Sequence, residues 1–205
     1  MIIRKQFKFC GGHYVRQSSF SEKCSMSNHG HNFEIEVFLK SDTLDNAGMV
    51  VDFGFIKNLL NDFIDSFDHC TYMWNKERQE IKDFFKKYSK RWIELPFTPS
   101  AELLSVMFLY TLDQIIKNTK FSNGEMGVES FSVIVHETDS GYAQAFKEDL
   151  HLVNYKLHDI IFSDDIINTW KNKYWRSDID NNTKFEGPKS IQYFDEDGNL
   201  TNDIF

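Results

Sequence analysis

The stretch Lys23-Cys24-Ser25-Met26-Ser27-Asn28-His29-Gly30-His31-Asn32-Phe33 decides how this chain is read. It supplies a thiol, then two imidazoles separated by one glycine, then the start of an alternating run. In an extended chain side chains i and i+2 share a face, so His29 and His31 can aim at one point. Gly30 leaves the opposite face without a side chain, open to another backbone or a ligand. A third imidazole, His13, follows another strand-like run upstream. Three neutral imidazoles with an open fourth position form the ligand set of a catalytic zinc site. Cys24 keeps an alternative standing. As a fourth ligand it would close the site and make the zinc structural.

Outward from that stretch, Ile2 to Phe9 reads as a strand with Phe7 and Phe9 on one face. Cys10-Gly11-Gly12-His13 is expected to break it in a turn or bulge that aims His13 inward. Gln17 to Asn28 reads as a polar loop. From Phe33 onward, Phe33, Ile35, Val37 and Leu39 alternate with Glu34, Glu36, Phe38 and Lys40, the pattern of a half-buried strand. A helix is expected from Asp52 to Phe67, capped by Asp52, with Ile56, Leu59, Leu60, Phe63, Ile64 and Phe67 on its apolar side. A more polar helix is expected from Asn75 to Trp92, and a third after Thr98-Pro99-Ser100. Val128 to Glu137 and Gly141 to Phe146 read as strands joined by a short turn. This order implies an α+β fold with an antiparallel sheet backed by helices. Beyond about Val153 the chain turns polar, with one helix near Asp164 to Trp175 and roughly the last thirty residues as a poorly packed tail.

Composition bounds the function classes. A chain of 205 residues with 41% hydrophobic and 16% aromatic residues has enough apolar surface for one substantial core. The net charge of −8, without a basic run, argues against a general binder of nucleic acid or anionic membrane. An anionic small substrate stays open, because a metal and a few local cations override a global charge. Cys10, Cys24 and Cys70 give no disulfide framework. With no signal-like N-terminus and no membrane-length apolar run, the expectation is a soluble cytoplasmic protein.

Several residues carry chemistry. A thiol such as Cys24 beside a divalent cation is biased toward thiolate, a base or nucleophile at neutral pH. Asp68-His69 pairs a carboxylate with an imidazole, the couple that orients a proton relay. Glu137 ends an apolar strand, where a carboxylate needs a partner. It can accept two parallel hydrogen bonds from a guanidine-like edge such as that of a pterin or guanine ring. His136-Glu137-Thr138-Asp139-Ser140 does not match H-E-x-x-H, and no phosphate-binding glycine loop is present.

Together these elements carry a resemblance: F-x-F-x-x-x-H ending at His13, Cys24 before His29-Gly30-His31-Asn32-Phe33, Gly48-Met49-Val50-Val51-Asp52-Phe53, Phe67-Asp68-His69, Pro99-Ser100-Ala101-Glu102 and His136-Glu137-Thr138. Over residues 1 to 148 the chain resembles the 6-pyruvoyltetrahydropterin synthase / 6-carboxytetrahydropterin synthase family. The resemblance implies a tunnelling fold, two long helices on a four-stranded antiparallel sheet. Such subunits assemble into an oligomeric barrel, commonly a homo-hexamer built as a dimer of trimers, with active sites at subunit interfaces. It implies Zn2+ on His13, His29 and His31, Cys24 as the proton-abstracting base, and Asp68 with His69 as relay. It implies Glu137 as the pterin anchor that also joins the relay, and Glu102 as a wall of the pterin pocket.

The chain departs from that pattern in places. Ser100 stands where Thr is usual, and Cys70-Thr71-Tyr72-Met73-Trp74-Asn75 replaces the usual continuation after Asp68-His69. Residues 76–97 read as an insertion within a pterin-synthase domain of residues 1–153, and 154–205 as a polar C-terminal extension. The implied activity is zinc-dependent conversion of 7,8-dihydroneopterin triphosphate to 6-carboxy-5,6,7,8-tetrahydropterin, acetaldehyde and triphosphate, a step toward queuosine. The carboxy branch is preferred because the Asn-, Lys- and Ile-rich composition suggests a bacterial chain. Formation of 6-pyruvoyltetrahydropterin and a non-catalytic protein with structural zinc are the alternatives.

Overall fold

A computed structural model describes residues 1–186, 193–194 and 200–201. The first strand, β1 (Ile2–His13), pairs antiparallel with β2 (His29–Lys40) in one unbroken register from Ile2↔Lys40 to His13↔His29. The expected break at Cys10-Gly11-Gly12-His13 does not occur. The reason for glycine there is different: a Cβ on Gly11 would lie 1.9 Å from the Tyr72 hydroxyl, which crosses over the strand. Between the two strands the chain forms a short helix, α1 (Glu22–Met26), in place of the expected loop. Ser21 caps it by accepting from the Cys24 amide at 3.3 Å.

The second helix, α2 (Phe53–Asp65), starts where Asp52 accepts from the amides of Gly54 and Phe55. It ends sooner than the expected Phe67. Next comes β3 (Cys70–Trp74), then α3 (Gln79–Tyr88), β4 (Trp92–Leu95) and the long helix α4 (Ala101–Lys117), capped by Ser100. Two-residue β5 (Thr119–Lys120) precedes the hairpin of β6 (Glu129–Thr138) and β7 (Gly141–Phe146). Beyond it lie β8 (Ile161–Phe162), α5 (Asp164–Ile167), α6 (Trp175–Asp180) and β9 (Phe185–Glu186).

The main sheet has seven strands in the order β7-β6-β2-β1-β3-β4-β8. The expected antiparallel four correspond to β7, β6, β2 and β1, so the four-stranded sheet is a correction in strand number and in kind. Beyond β1, β3 and β4 add in parallel, and β8 closes that edge antiparallel. The expected helix from Asn75 to Trp92 absorbed part of this edge. Trp92-Ile93-Glu94-Leu95 has too few residues for its period to separate helix from strand. Lys82 and Lys86, one turn apart on α3, both pair with buried Glu94 of β4, and this docks the helix on the sheet edge.

One face of the sheet carries the core. Phe9, Phe33, Ile35, Val37, Leu39, Val133 and Val135 pack beneath α2 and α4. The opposite face presents Arg4, Lys8, Glu34, Glu36 and His136, cross-linked by ion pairs. Residues past 153 join the core: Leu157, Phe162, Ile166, Trp170, Trp175 and Ile179 are buried, and Trp170 donates to Ser66 Oγ at 2.7 Å. The single helix expected near Asp164 to Trp175 is two short ones. The expected poor packing of the tail fails at Ile179, while 187–192, 195–199 and 202–205 lie outside the described residues. Among the described residues no helix is long and apolar enough to cross a membrane.

Candidate active site

The continuous register between β1 and β2 builds the centre. It sets His13 directly across from His29, and the two-residue period places His31 on the same side. Ligand atoms of these three imidazoles lie within 4.8 Å of one another. Two of the three rings are fixed from behind. His13 Nδ1–H donates to the Pro99 carbonyl at 2.7 Å and His29 Nδ1–H to the Ser27 carbonyl at 3.0 Å, which leaves their Nε2 lone pairs facing inward. Pro99 therefore does more than open α4, a role the sequence did not reveal.

The electrostatics suit a cation. Burial pulls the His13 imidazole down to about 4; the bond to Pro99 opposes this, and the neighbouring imidazoles add to it. His31 is lowered too, by burial first, with Glu137 pulling the other way. Both shifts favour the neutral ring. Their Nε2 atoms are buried with no hydrogen-bond partner. Glu137 Oε1 lies 3.4 Å from His13 Nε2 and 3.7 Å from His31 Nε2. Two orphaned lone pairs and a carboxylate oxygen converging on one spot repel one another unless a positive charge sits between them. The donor set of neutral imidazoles fits a zinc ion.

Cys24 stays outside the three-imidazole group. Its carbonyl accepts from the Val15 amide at 2.9 Å, which ties α1 to the end of β1 two residues past His13. Arg16 braces the same loop, bonding the Ser25 carbonyl and, at 2.5 Å, buried Glu77. The Ser21 hydroxyl donates to Cys24 Sγ at 3.2 Å. The thiol is half-buried.

Asp68 and His69 stand elsewhere. Asp68 lines a cavity of about 740 Å³ with Lys8, Asn32, Glu34 and His136, all on the sheet face opposite the imidazoles. The pair grips both backbone groups of Cys10: its amide donates to Asp68 Oδ1 at 2.9 Å, and its carbonyl accepts from the His69 amide at 2.7 Å. His69 has φ +50°, a left-handed backbone that a residue with a side chain adopts rarely. Asp68 Oδ2 takes His69 Nδ1 at 2.8 Å. Burial raises the Asp68 carboxyl, but the bonds from Cys10 and His69 outweigh it and hold the group below its usual range. Glu102 lies exposed in the first turn of α4, and among the described residues no side-chain contact ties it to the centre.

This sequence and this fold have relatives. The family model for 6-pyruvoyl tetrahydropterin synthase matches residues 2–148. A protein of Helicobacter pylori strain J99 named 6-carboxy-5,6,7,8-tetrahydropterin synthase is 43% identical over 177 residues, covering 84% of this chain and 88% of its own. Among solved structures, an uncharacterised protein from Wolinella succinogenes superposes with a TM-score of 0.55 at 22% identity over 72% of this chain and 98% of its own. The Plasmodium vivax 6-pyruvoyl tetrahydropterin synthase superposes with a TM-score of 0.52 at 19% identity over 71% and 97%. The chain belongs to the 6-pyruvoyl tetrahydropterin synthase family.

Proposed function

We propose that this protein is a zinc-dependent lyase that converts 7,8-dihydroneopterin triphosphate to 6-carboxy-5,6,7,8-tetrahydropterin, acetaldehyde and triphosphate. The observation that carries the proposal is the convergence of the His13 and His31 Nε2 atoms with Glu137 at one buried point. The carboxy branch rests on the relatives, whose 43% identical member carries that name. A structural, closed zinc site is disfavoured, because Cys24 stands outside the imidazole group.

His13, His29 and His31 would hold the metal. Zinc bound there supplies Lewis acidity toward the hydroxyls of the substrate side chain. Glu137, beside the imidazoles, accepts two hydrogen bonds from the pterin's guanidine-like edge and so sets the side chain against the metal position. Cys24 removes a carbon-bound proton from one side. On the other side His69 Nε2 gives and takes protons, with Asp68 holding its Nδ1–H and offsetting the charge of the protonated ring. Glu102 walls the pterin pocket.

Asp68 and His69 face away from their own imidazole cluster, so the reading requires a second copy of the chain to bring them in. An assembly of identical subunits does this at every site. The direct test is incubation of zinc-replete protein with 7,8-dihydroneopterin triphosphate and identification of products by mass. Acetaldehyde with 6-carboxytetrahydropterin is expected. A pyruvoyl product would move the protein to the other branch, and no turnover with zinc bound would contradict the enzyme reading.

A further inference from the structure

A cavity of about 630 Å³ opens beside His69, on the face left bare by Gly12 and Gly30. In a chain of net charge −8, none of its lining residues is Asp or Glu. Its polar wall is Thr71 together with Ser89, Lys90 and Arg91, the turn between α3 and β4. That turn is built to stay put. The Ser89 amide donates to the Phe85 carbonyl at 2.8 Å, and the Arg91 carbonyl accepts from the Thr71 amide at 3.3 Å. Arg91 Nε donates to the Asp68 carbonyl at 2.8 Å and Nη2 to the Asp65 carbonyl at 2.6 Å. Nη1 of Arg91 has no partner among the described residues. Lys90, between these anchored neighbours, is exposed and forms no ion pair or hydrogen bond among the described residues. An unpaired ammonium on a fixed turn, in an acid-free cavity with hydroxyl donors, is the chemistry that receives a polyphosphate.

We propose that this cavity is the triphosphate subsite of the enzyme and that Lys90 is its principal cation, with Arg91 Nη1 and the hydroxyls of Thr71 and Ser89 completing it. The inference rests on the reading given under Proposed function. Because the turn is clamped to the backbone of Asp65 and Asp68, the subsite travels with His69 to whichever zinc centre that imidazole serves. The leaving group would then lie beside the relay histidine while the pterin ring stays with Glu137. Residues 79–95 thus do more than widen the sheet: they furnish the anion site.

The test uses the fluorescence of two pterins that do not react, neopterin and neopterin triphosphate, titrated into the zinc-loaded protein. Wild type is expected to bind the triphosphate more tightly. Lys90→Ala should weaken the triphosphate about ten-fold, as expected for one charge-assisted contact, and leave neopterin unchanged. Lys90→Glu should weaken it further and Lys90→Arg should retain it. Lys57→Ala, an exposed lysine on α2, controls for a general loss of charge. Equal triphosphate affinity in wild type and Lys90→Ala, or an equal loss in Lys57→Ala, overturns the subsite and leaves the synthase reading intact. If wild type binds neither pterin, the synthase reading falls and the subsite with it.

Discussion

The two halves of the proposed catalytic apparatus are built in opposite ways. The imidazole half lies on the helix side of the sheet, His13 buried and His29 and His31 half-buried, with the His13 and His29 rings locked by backbone carbonyls and the His13 and His31 Nε2 atoms left without partners. The Asp68–His69 half lies on the opposite face, with the His69 side chain 78% exposed and its backbone left-handed. The first half holds two orphaned Nε2 lone pairs beside a carboxylate, the arrangement that the proposed zinc would complete. The second has its Nδ1 held by Asp68 and leaves its Nε2 without a hydrogen-bond partner among the described residues. Protein sites gain precision from rigid elements; here one half takes its rigidity from paired strands and the other from a clamp on Cys10.

Substitutions can break this comparison in order of effect. His13→Ala removes a proposed zinc ligand, and that should lower zinc affinity by more than the about 10–100-fold lost with an outer-sphere partner. Elemental analysis showing undiminished zinc would remove the centre from the account. Cys24→Ala and His69→Ala should each lower turnover by about 10²–10⁴, the usual worth of a general acid or base, with zinc content retained in both. If zinc leaves with the Cys24 thiol, the site is the closed structural kind. Glu137→Gln should weaken a bound pterin about ten-fold by disturbing one charge-assisted contact, again with zinc in place; unchanged affinity would place the anchor elsewhere.

The smallest effect belongs to the ion-paired face. Burial alone would raise the Glu36 carboxyl, but hydrogen bonds from Arg4 and His136 outweigh it and hold the group below its ordinary 4.5. Its stabilising contribution is therefore present above that pH and lost as the pH falls through the lowered value. Glu36→Gln should cost no more than about 1 kcal/mol at neutral pH, with the deficit shrinking below pH 4.5. Denaturant titrations at pH 7 and pH 3.5 compare the two, and a deficit that does not shrink in acid would mean that the pair is not the cause.

Much of this was legible before the structure. The alternation from Phe33 to Leu39 and the caps Asp52 and Ser100 have local causes, and local causes are visible in sequence. The pairing of His13 with His29 follows once β1 and β2 form a hairpin with its register set by their apolar faces. The parallel edge was not legible. Cys70-Thr71-Tyr72-Met73-Trp74 and Trp92-Ile93-Glu94-Leu95 are too short to show a period, and their partners lie far along the chain. Gly11 was misread as a breaker because its reason, the Tyr72 ring, is supplied by that unseen strand. The grip of Pro99 on His13 and the basic turn at Ser89-Lys90-Arg91 were hidden for the same cause: each depends on a contact that only tertiary packing creates.

The claim that the two halves belong to different copies of the chain can be tested in one measurement. Cys24→Ala and His69→Ala subunits, each inactive alone, are co-expressed with distinct tags, and assemblies carrying both are assayed for turnover. Random mixing pairs an intact Cys24 with an intact neighbouring His69 at about one site in four if each site is shared by adjacent copies, so about a quarter of wild-type activity should return. Mixed assemblies as inactive as either variant would contradict a shared site and return both halves to a single chain.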